Sequence, residues 1–237
     1  MPSISRISAK GLGALALPGF CPRCFWLQMH LEGKPPFQIF PGIFNTIDAY
    51  GKRLVQGWFD HHGAPPDWLG SLGKIRGYRI PPHHSKFLVK DDESGMVLWG
   101  SPDAVFEMED GSFTIGDYKT AKFTAKQDEL FPMYEVQLNA YAYIGERCGL
   151  KPVSKLALIY TEPITDDASA GTDSNLTGDG FLMGFRVNIL DVSILPDLVP
   201  QLLRKARSIL DLERPPAGED GCKDCEALAR LVALTEK

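Results

Sequence analysis

No apolar run in this chain reaches the roughly 20 residues that a bilayer-spanning helix needs. A membrane partner is therefore not expected, and a cytoplasmic location is. Residues Met1 to Phe20 carry Arg6 and Lys10 ahead of a weak Leu15-Ala-Leu17 stretch, so short and broken that a signal peptide is not expected there. Internal repeats and low-complexity segments are missing, which sets aside repeat arrays and tail-like disorder. No Gly-x-x-x-x-Gly-Lys-[Ser/Thr] loop occurs, so the chain carries no nucleotide-driven motor of its own. Net positive charge is missing too: 25 Lys and Arg stand against 30 Asp and Glu, a balance of −5. Contact with a polyanion has to be local.

Three local basic stretches exist: Lys74, Arg76, Arg79, Lys86 and Lys90; Lys119, Lys122 and Lys126; and Arg204, Lys205 and Arg207. A solvated face explains each of them. Phosphate contact is the sharper reading, since counterion release makes Lys and Arg the source of binding energy.

Cysteine is scarce but patterned. Of five, four form Cys21-Pro-Arg-Cys24 near the start and Cys222-Lys-Asp-Cys225 near the end, and Cys148 stands alone. An odd total together with two CxxC pairs does not read as a secreted disulfide framework. It is the pattern of a four-thiolate metal site. His30 is a spare donor near the first pair, and Cys148, on the apolar face of its helix, reads as a small buried hydrophobe.

The 237 residues, 44% hydrophobic and 23% charged, are enough for a proper core. Residues 1–237 are expected to form one α/β domain with appendages. Helices are expected over 21–32, 43–62, 132–148 and 195–212. The helix 43–62 repeats Phe44, Ile47, Gly51, Leu54, Val55 and Trp58 at threes and fours. Residues 63–85, rich in Gly and Pro, read as loop. Strands follow at 86–90, 96–108 and 113–119, with Asp110-Gly111 as a hairpin signal between the last two. Further strands are expected at 155–161 and 181–189, separated by a polar loop over 163–180. Helix, three strands, helix, strand makes a sheet flanked by helices.

Asp103, in Gly100-Ser-Pro-Asp103, and Asp117 and Lys119, in Gly116-Asp117-Tyr-Lys119, carry the chemistry. Asp117 and Lys119 lie two apart on a strand and share a face. Asp103 interrupts an apolar segment, where a lone carboxylate is costly unless paired or bound to metal. Each acid has a bland reading, as a turn aspartate or a cross-strand ion pair. Together they put two carboxylates and an ammonium on one patch of sheet. Carboxylates suit a hard divalent cation such as Mg²⁺ or Mn²⁺. The cation activates water and stabilises charge on a phosphate, and the ammonium orients the attacking water. Gln137 and Tyr141 lie one helical turn apart on the next helix, placed to bond a nucleic-acid strand or the lysine. His83 and His84 read as exposed loop histidines, near enough for phosphate contact.

Gly-x-x-Asp, Asp-x-Lys and Gln-x-x-x-Tyr between terminal cysteines resemble the RecB-like branch of the PD-(D/E)XK nuclease superfamily. The likeness is to its cysteine-clustered exonucleases, the CRISPR-associated RecB-family and AddB-type nucleases. It spans Cys21 to Cys225, although the motifs occupy few positions. It implies a restriction-endonuclease-like core, with Asp103, Asp117 and the Tyr118 carbonyl as metal ligands. It implies Lys119 as the catalytic lysine, with Gln137 and Tyr141 as the motif after the catalytic strand. It implies that Cys21, Cys24, Cys222 and Cys225 hold a 4Fe–4S cluster clasping the chain's two ends.

Two departures from that pattern matter. Relatives place a His or Glu on the helix before the hairpin. Helix 43–62 has no glutamate, and its only histidines are His61 and His62. Asp48 is the best substitute, in register with the apolar side, and Asn45 is the second choice. The usual cysteine order is one and three, whereas here it is two and two, which suits tetrahedral Zn²⁺ as well as a cluster. The resulting expectation is a Mg²⁺- or Mn²⁺-dependent exonuclease on DNA ends or single strands, in repair, recombination or foreign-DNA processing. A helicase or integrase-like partner would be a separate chain. The competing readings are a non-catalytic nucleic-acid-binding or assembly subunit and, more weakly, a zinc-stabilised structural protein.

Overall fold

A computed structural model describes residues 6–32, 42–124 and 128–235. Residues Phe113–Lys119 form its central strand (β6), buried everywhere except at Lys119. A strand covered on both faces carries such a continuous buried run. Residues Ala104–Met108 (β5) pair with it antiparallel, and residues Val153–Pro163 (β7) pair with it parallel. Residues Phe185–Val192 (β10) and Ile75–Arg79 (β2) complete a five-stranded sheet in the order β10-β7-β6-β5-β2. A parallel pair needs a crossover, and the helix Phe131–Arg147 (α4) supplies it between β6 and β7.

The two-residue period of the strands divides their side chains between two cores. Val105, Ile115, Leu156 and Leu158 lie beneath α4, with residues from Ala9–Gly13 (α1) and Leu198–Leu210 (α6). Ala104, Phe106, Tyr118 and Ile159 face the other way. There they meet Val55 and Phe59 of the helix Gly42–His62 (α3) and Leu69 and Leu72 of a 3₁₀ segment. The expected α/β order is present: α3, the antiparallel set β2-β5-β6, α4, then β7. Asp117 and Lys119 share the parity of Ile115, and Tyr118 takes the opposite one.

Several expectations are corrected. The segment 96–108 is not one strand. It is Val97–Trp99 (β4) and Ala104–Met108, in different sheets, with Gly100-Ser-Pro-Asp103 between them. Pro102 has no N–H for a ladder, so the chain turns there. The strand at 86–90 is Leu88–Lys90 (β3). It lies outside the central sheet, in a small one of order β1-β4-β3 that also includes Arg6–Ser8 (β1). The third antiparallel strand of the central sheet is β2, inside the segment read as loop, where Gly77 and a register shift blur the alternation. The segment 163–180 is not all loop, since it holds a short helix at Asp167–Ala170 (α5) and the strand Leu176–Thr177 (β8). Phe181 belongs to the short strand Gly180–Phe181 (β9). Helix α3 buries Val55 and Phe59 but exposes Phe44, Leu54 and Trp58, so its inward face is rotated from the expected one. Cys148 is exposed, because it caps α4 instead of lying on its apolar face.

The first cysteine pair opens the helix Pro22–His30 (α2), and the second opens the helix Lys223–Thr235 (α7). Lys126 lies outside the described residues. Among the described residues, no helix is long and apolar enough to cross a membrane.

Candidate active site and cysteine clasp

The Gly100-to-Asp103 turn starts β5 with a carboxylate, and the end of β6 carries Asp117 and Lys119 beside it. Asp103 Oδ2 accepts the backbone N–H of Tyr118 at 3.0 Å, which fixes the turn against β6. Gly100 makes the approach possible: a Cβ there would lie 2.5 Å from Tyr141 Cε1. The Lys119 ammonium forms an ion pair with Asp117 Oδ2 and lies 4.0 Å from the centre of the Tyr134 ring.

Helix α4 closes the site from above. Gln137 Nε2 donates to Asp117 Oδ1 at 3.3 Å and to the Tyr141 hydroxyl at 2.9 Å, and Gln137 Oε1 accepts from Lys119 Nζ at 3.5 Å. One buried glutamine therefore addresses the acid, the lysine and the tyrosine together.

Helix α3 contributes the third acid. Asp48 and Lys52 lie one turn apart on its inward face, in line with Val55 and Phe59. Lys52 Nζ is 2.7 Å from Asp48 Oδ2 and 2.7 Å from Asp103 Oδ1. Asp48 Oδ1 is buried without a hydrogen-bond partner. Lys52 was not anticipated from the sequence. Its spacing of four from Asp48 is the signal that could have found it. Asn45, the second choice, lines the same cleft.

The cleft holds about 510 Å³ and is lined by all three acids, Lys119, Gln137 and Tyr141, with Lys10 at its edge. Burial pushes the Asp117 carboxyl up to about 7, against the pull of Lys119, and the Asp103 charge adds to the rise. Burial also raises Asp48, although the Lys52 hydrogen bond opposes it. Burial acts to lower Lys52, but the attraction of Asp103 and Asp48 outweighs it and raises the ammonium. Three hard oxygen donors, two of them with a buried oxygen that lacks a hydrogen bond (Asp48 Oδ1 and Asp117 Oδ2), fit a divalent cation. Asp48, Asp103 and Asp117 are the side chains that would hold it.

Not every basic residue reaches the cleft. Arg76 and Arg79 pair with Glu107, Lys74 with Glu109 and Arg204 with Glu93, so those stretches behave as solvated, ion-paired surface. His83 and His84 are exposed, with their rings in tilted contact and the centroids 3.9 Å apart.

α2 and α7 bring the four paired cysteines together. Their sulfurs all lie within 4.8 Å of one another, and such a set can hold a metal. The backbone N–H of Glu219 donates to Cys21 Sγ at 3.3 Å. Burial acts to raise the Cys21 thiol, but the backbone bonds from Glu219 and Cys24 overcome it and pull it down to about 6. His30 is not among the ligands, since its ring stacks on Trp26 and its Nδ1 bonds the Trp26 carbonyl at 2.8 Å.

A family model described as the PD-(D/E)XK nuclease superfamily matches residues 62–230. That span includes Asp103, Asp117, Lys119, Gln137, Tyr141 and the second cysteine pair. Asp48, Lys52 and the first pair lie before it. Among solved structures, one described as the crystal structure of SSO0001 aligns with 14% identity and a TM-score of 0.39, over 91% of this chain and 80% of that one. No curated protein matches the sequence.

Proposed function

The chain belongs to the PD-(D/E)XK nuclease superfamily, and from that premise we propose that it is a divalent-metal-dependent DNA nuclease. We propose further that it acts as an exonuclease on DNA ends or single strands. The observation that carries the catalytic part is the meeting of Asp48, Asp103, Asp117, Lys119 and Gln137 in one cleft. The exonuclease form, and a role in repair, recombination or foreign-DNA processing beside a separate helicase or integrase-like protein, rest on the motif resemblance.

A Mg²⁺ or Mn²⁺ ion held there would supply a more acidic water and neutralise charge on the scissile phosphate. The chain's own residues do the rest. Asp48, Asp103 and Asp117 present carboxylate oxygens toward the cleft, and the Tyr118 carbonyl is proposed as a further ligand. Lys119, held between Asp117 and Gln137, is positioned to donate a hydrogen bond to the attacking water or to a phosphate oxygen. Gln137 fixes the lysine's direction, and Tyr141 fixes Gln137. Lys10, at the cleft edge, adds local positive charge for the backbone of the strand.

One observation favours a second reading. The Lys52 ammonium already bridges Asp48 and Asp103. If it stays there when nucleic acid is bound, the cleft takes up no cation and the chain is a non-catalytic binding or assembly subunit.

The deciding experiment is cleavage of end-labelled single- and double-stranded DNA with Mn²⁺, Mg²⁺ or EDTA, comparing the wild type with Lys119→Ala. Metal-dependent cutting that falls by about 10²-fold or more in the variant supports the nuclease. A folded wild type that binds DNA but leaves every substrate intact supports the second reading.

A further inference from the structure

The 4Fe–4S cluster implied by the motif resemblance does not fit the cysteine clasp. Cys21 Sγ lies 3.6 Å from Cys225 Sγ, while Cys24 Sγ lies 3.6 Å from Cys222 Sγ and 3.5 Å from Cys225 Sγ. No pair of the four is separated by more than 4.8 Å. Four thiolates around one ion, each about 2.3 Å from it, stand about 3.8 Å apart at the corners of a tetrahedron. A cubane places four irons and four sulfides between the thiolates and spreads them to roughly 6 Å or more. The observed separations match the single ion.

The surroundings close down on the same small volume. A Cβ at Gly218 would lie 2.8 Å from Cys225 Sγ, so the C-terminal segment leaves no room for a side chain beside the sulfur. The Glu219 N–H donates to Cys21 Sγ from the same segment. Spreading the sulfurs would break the Glu219 bond or move its segment. The two CxxC pairs also enter alike, each at the N-terminal turn of a helix.

We infer that Cys21, Cys24, Cys222 and Cys225 hold one tetrahedral thiophilic ion, Zn²⁺, and not an iron–sulfur cluster. The ion itself then has no redox chemistry. It ties α2 to α7, across nearly the whole length of the chain, and releases protons as the thiols coordinate. This holds whether or not the acidic cleft cuts DNA.

The test is metal and acid-labile sulfide analysis of the full chain, purified without oxygen from cells supplied with both iron and zinc. The expected result is about one zinc per chain, no sulfide and no absorption near 400 nm. A brown protein with about four irons and four sulfides per chain overturns the inference. A second measurement guards against loss of metal during purification. Protein stripped and reloaded with Co²⁺ is expected to show the intense visible bands of a tetrahedral thiolate site. Cys24→Ser is expected to weaken and shift them. Folded wild type that takes up neither Zn²⁺ nor Co²⁺ also overturns it.

Discussion

Lys52 Nζ sits 2.7 Å from Asp103 Oδ1, and the same ammonium is 2.7 Å from Asp48. A lysine on α3 thus holds the gap between two of the three acids that would bind a cation. The two charges cannot share that gap, so Lys52 would compete with a cation bound there. Lys52→Met is expected to tighten Mn²⁺ binding about 3- to 10-fold, the scale of a half-exposed ion pair. It is also expected to lower the melting temperature in EDTA, because the two carboxylates lose their counter-charge. Free Mn²⁺ measured by electron paramagnetic resonance reads the first effect. Weaker Mn²⁺ binding in Lys52→Met would show that Lys52 supports the site and does not compete for it.

Asp117 gives the site a pH dependence. Its carboxyl rises from an ordinary value near 4 to about 7, because burial disfavours the charge, Lys119 only partly offsets this, and Asp103 adds to it. Between those values the folded chain keeps a proton that the unfolded chain has released. Metal-free stability therefore falls as pH rises through that window. Asp117→Asn removes the slope, so in EDTA the variant is expected to gain on the wild type between pH 5 and pH 8. Metal binding runs the other way, since the cation displaces the proton, and Mn²⁺ affinity is expected to rise through pH 7. Calorimetric melting at both pH values and Mn²⁺ titration check the two signs.

The parts of this arrangement that follow local rules were legible in the sequence. Asp117 and Lys119 share a face because strand period is two, and the Asp110-Gly111 turn brings β5 alongside β6. Gln137 and Tyr141 share a helical turn, and the CxxC pairs meet as their spacing suggests. The rest depends on packing that no local pattern encodes. Strand β2 pairs at the edge of the sheet despite Gly77 and a register shift, so it carries no clean alternation. The rotated face of α3 is set by Leu69, Leu72 and the sheet behind them, which burial alone selects. Lys52 becomes part of the site only because Asp103 arrives from 51 residues away.

Gly100 ties the fold to the site. A methyl group there would enter the space of the buried Tyr141 ring, 2.5 Å from Cε1, and sit 3.3 Å from Ala9 Cβ. Gly100→Ala is expected to cost about 1–3 kcal/mol, the range for overpacking. It should also reduce cleavage per folded molecule, since a displaced Tyr141 loosens Gln137. Chemical denaturation of a double-mutant cycle with Tyr141→Leu checks the cause: the cost of Gly100→Ala is expected to shrink once the ring is gone. An unchanged cost would place the strain elsewhere.

Asn139 separates scaffold from chemistry. Its buried amide donates to the Glu135 carbonyl at 2.9 Å and the Ser193 carbonyl at 3.0 Å, and its oxygen accepts the Leu195 N–H at 2.7 Å. One side chain on α4 thereby satisfies two backbone groups of the turn between β10 and α6. Asn139→Ala leaves the Ser193 and Leu195 groups without that partner, at an expected cost of about 2–3 kcal/mol. Asn139 faces away from Gln137 and the acids, so cleavage per folded molecule is expected to stay within about twofold of wild type at a temperature where the variant remains folded. Urea denaturation followed by tryptophan fluorescence reads the stability, and a cleavage assay on the same preparation reads the chemistry. Loss of cleavage without loss of stability would mean that the β10–α6 turn reaches the active site by a route other than the packing of α4.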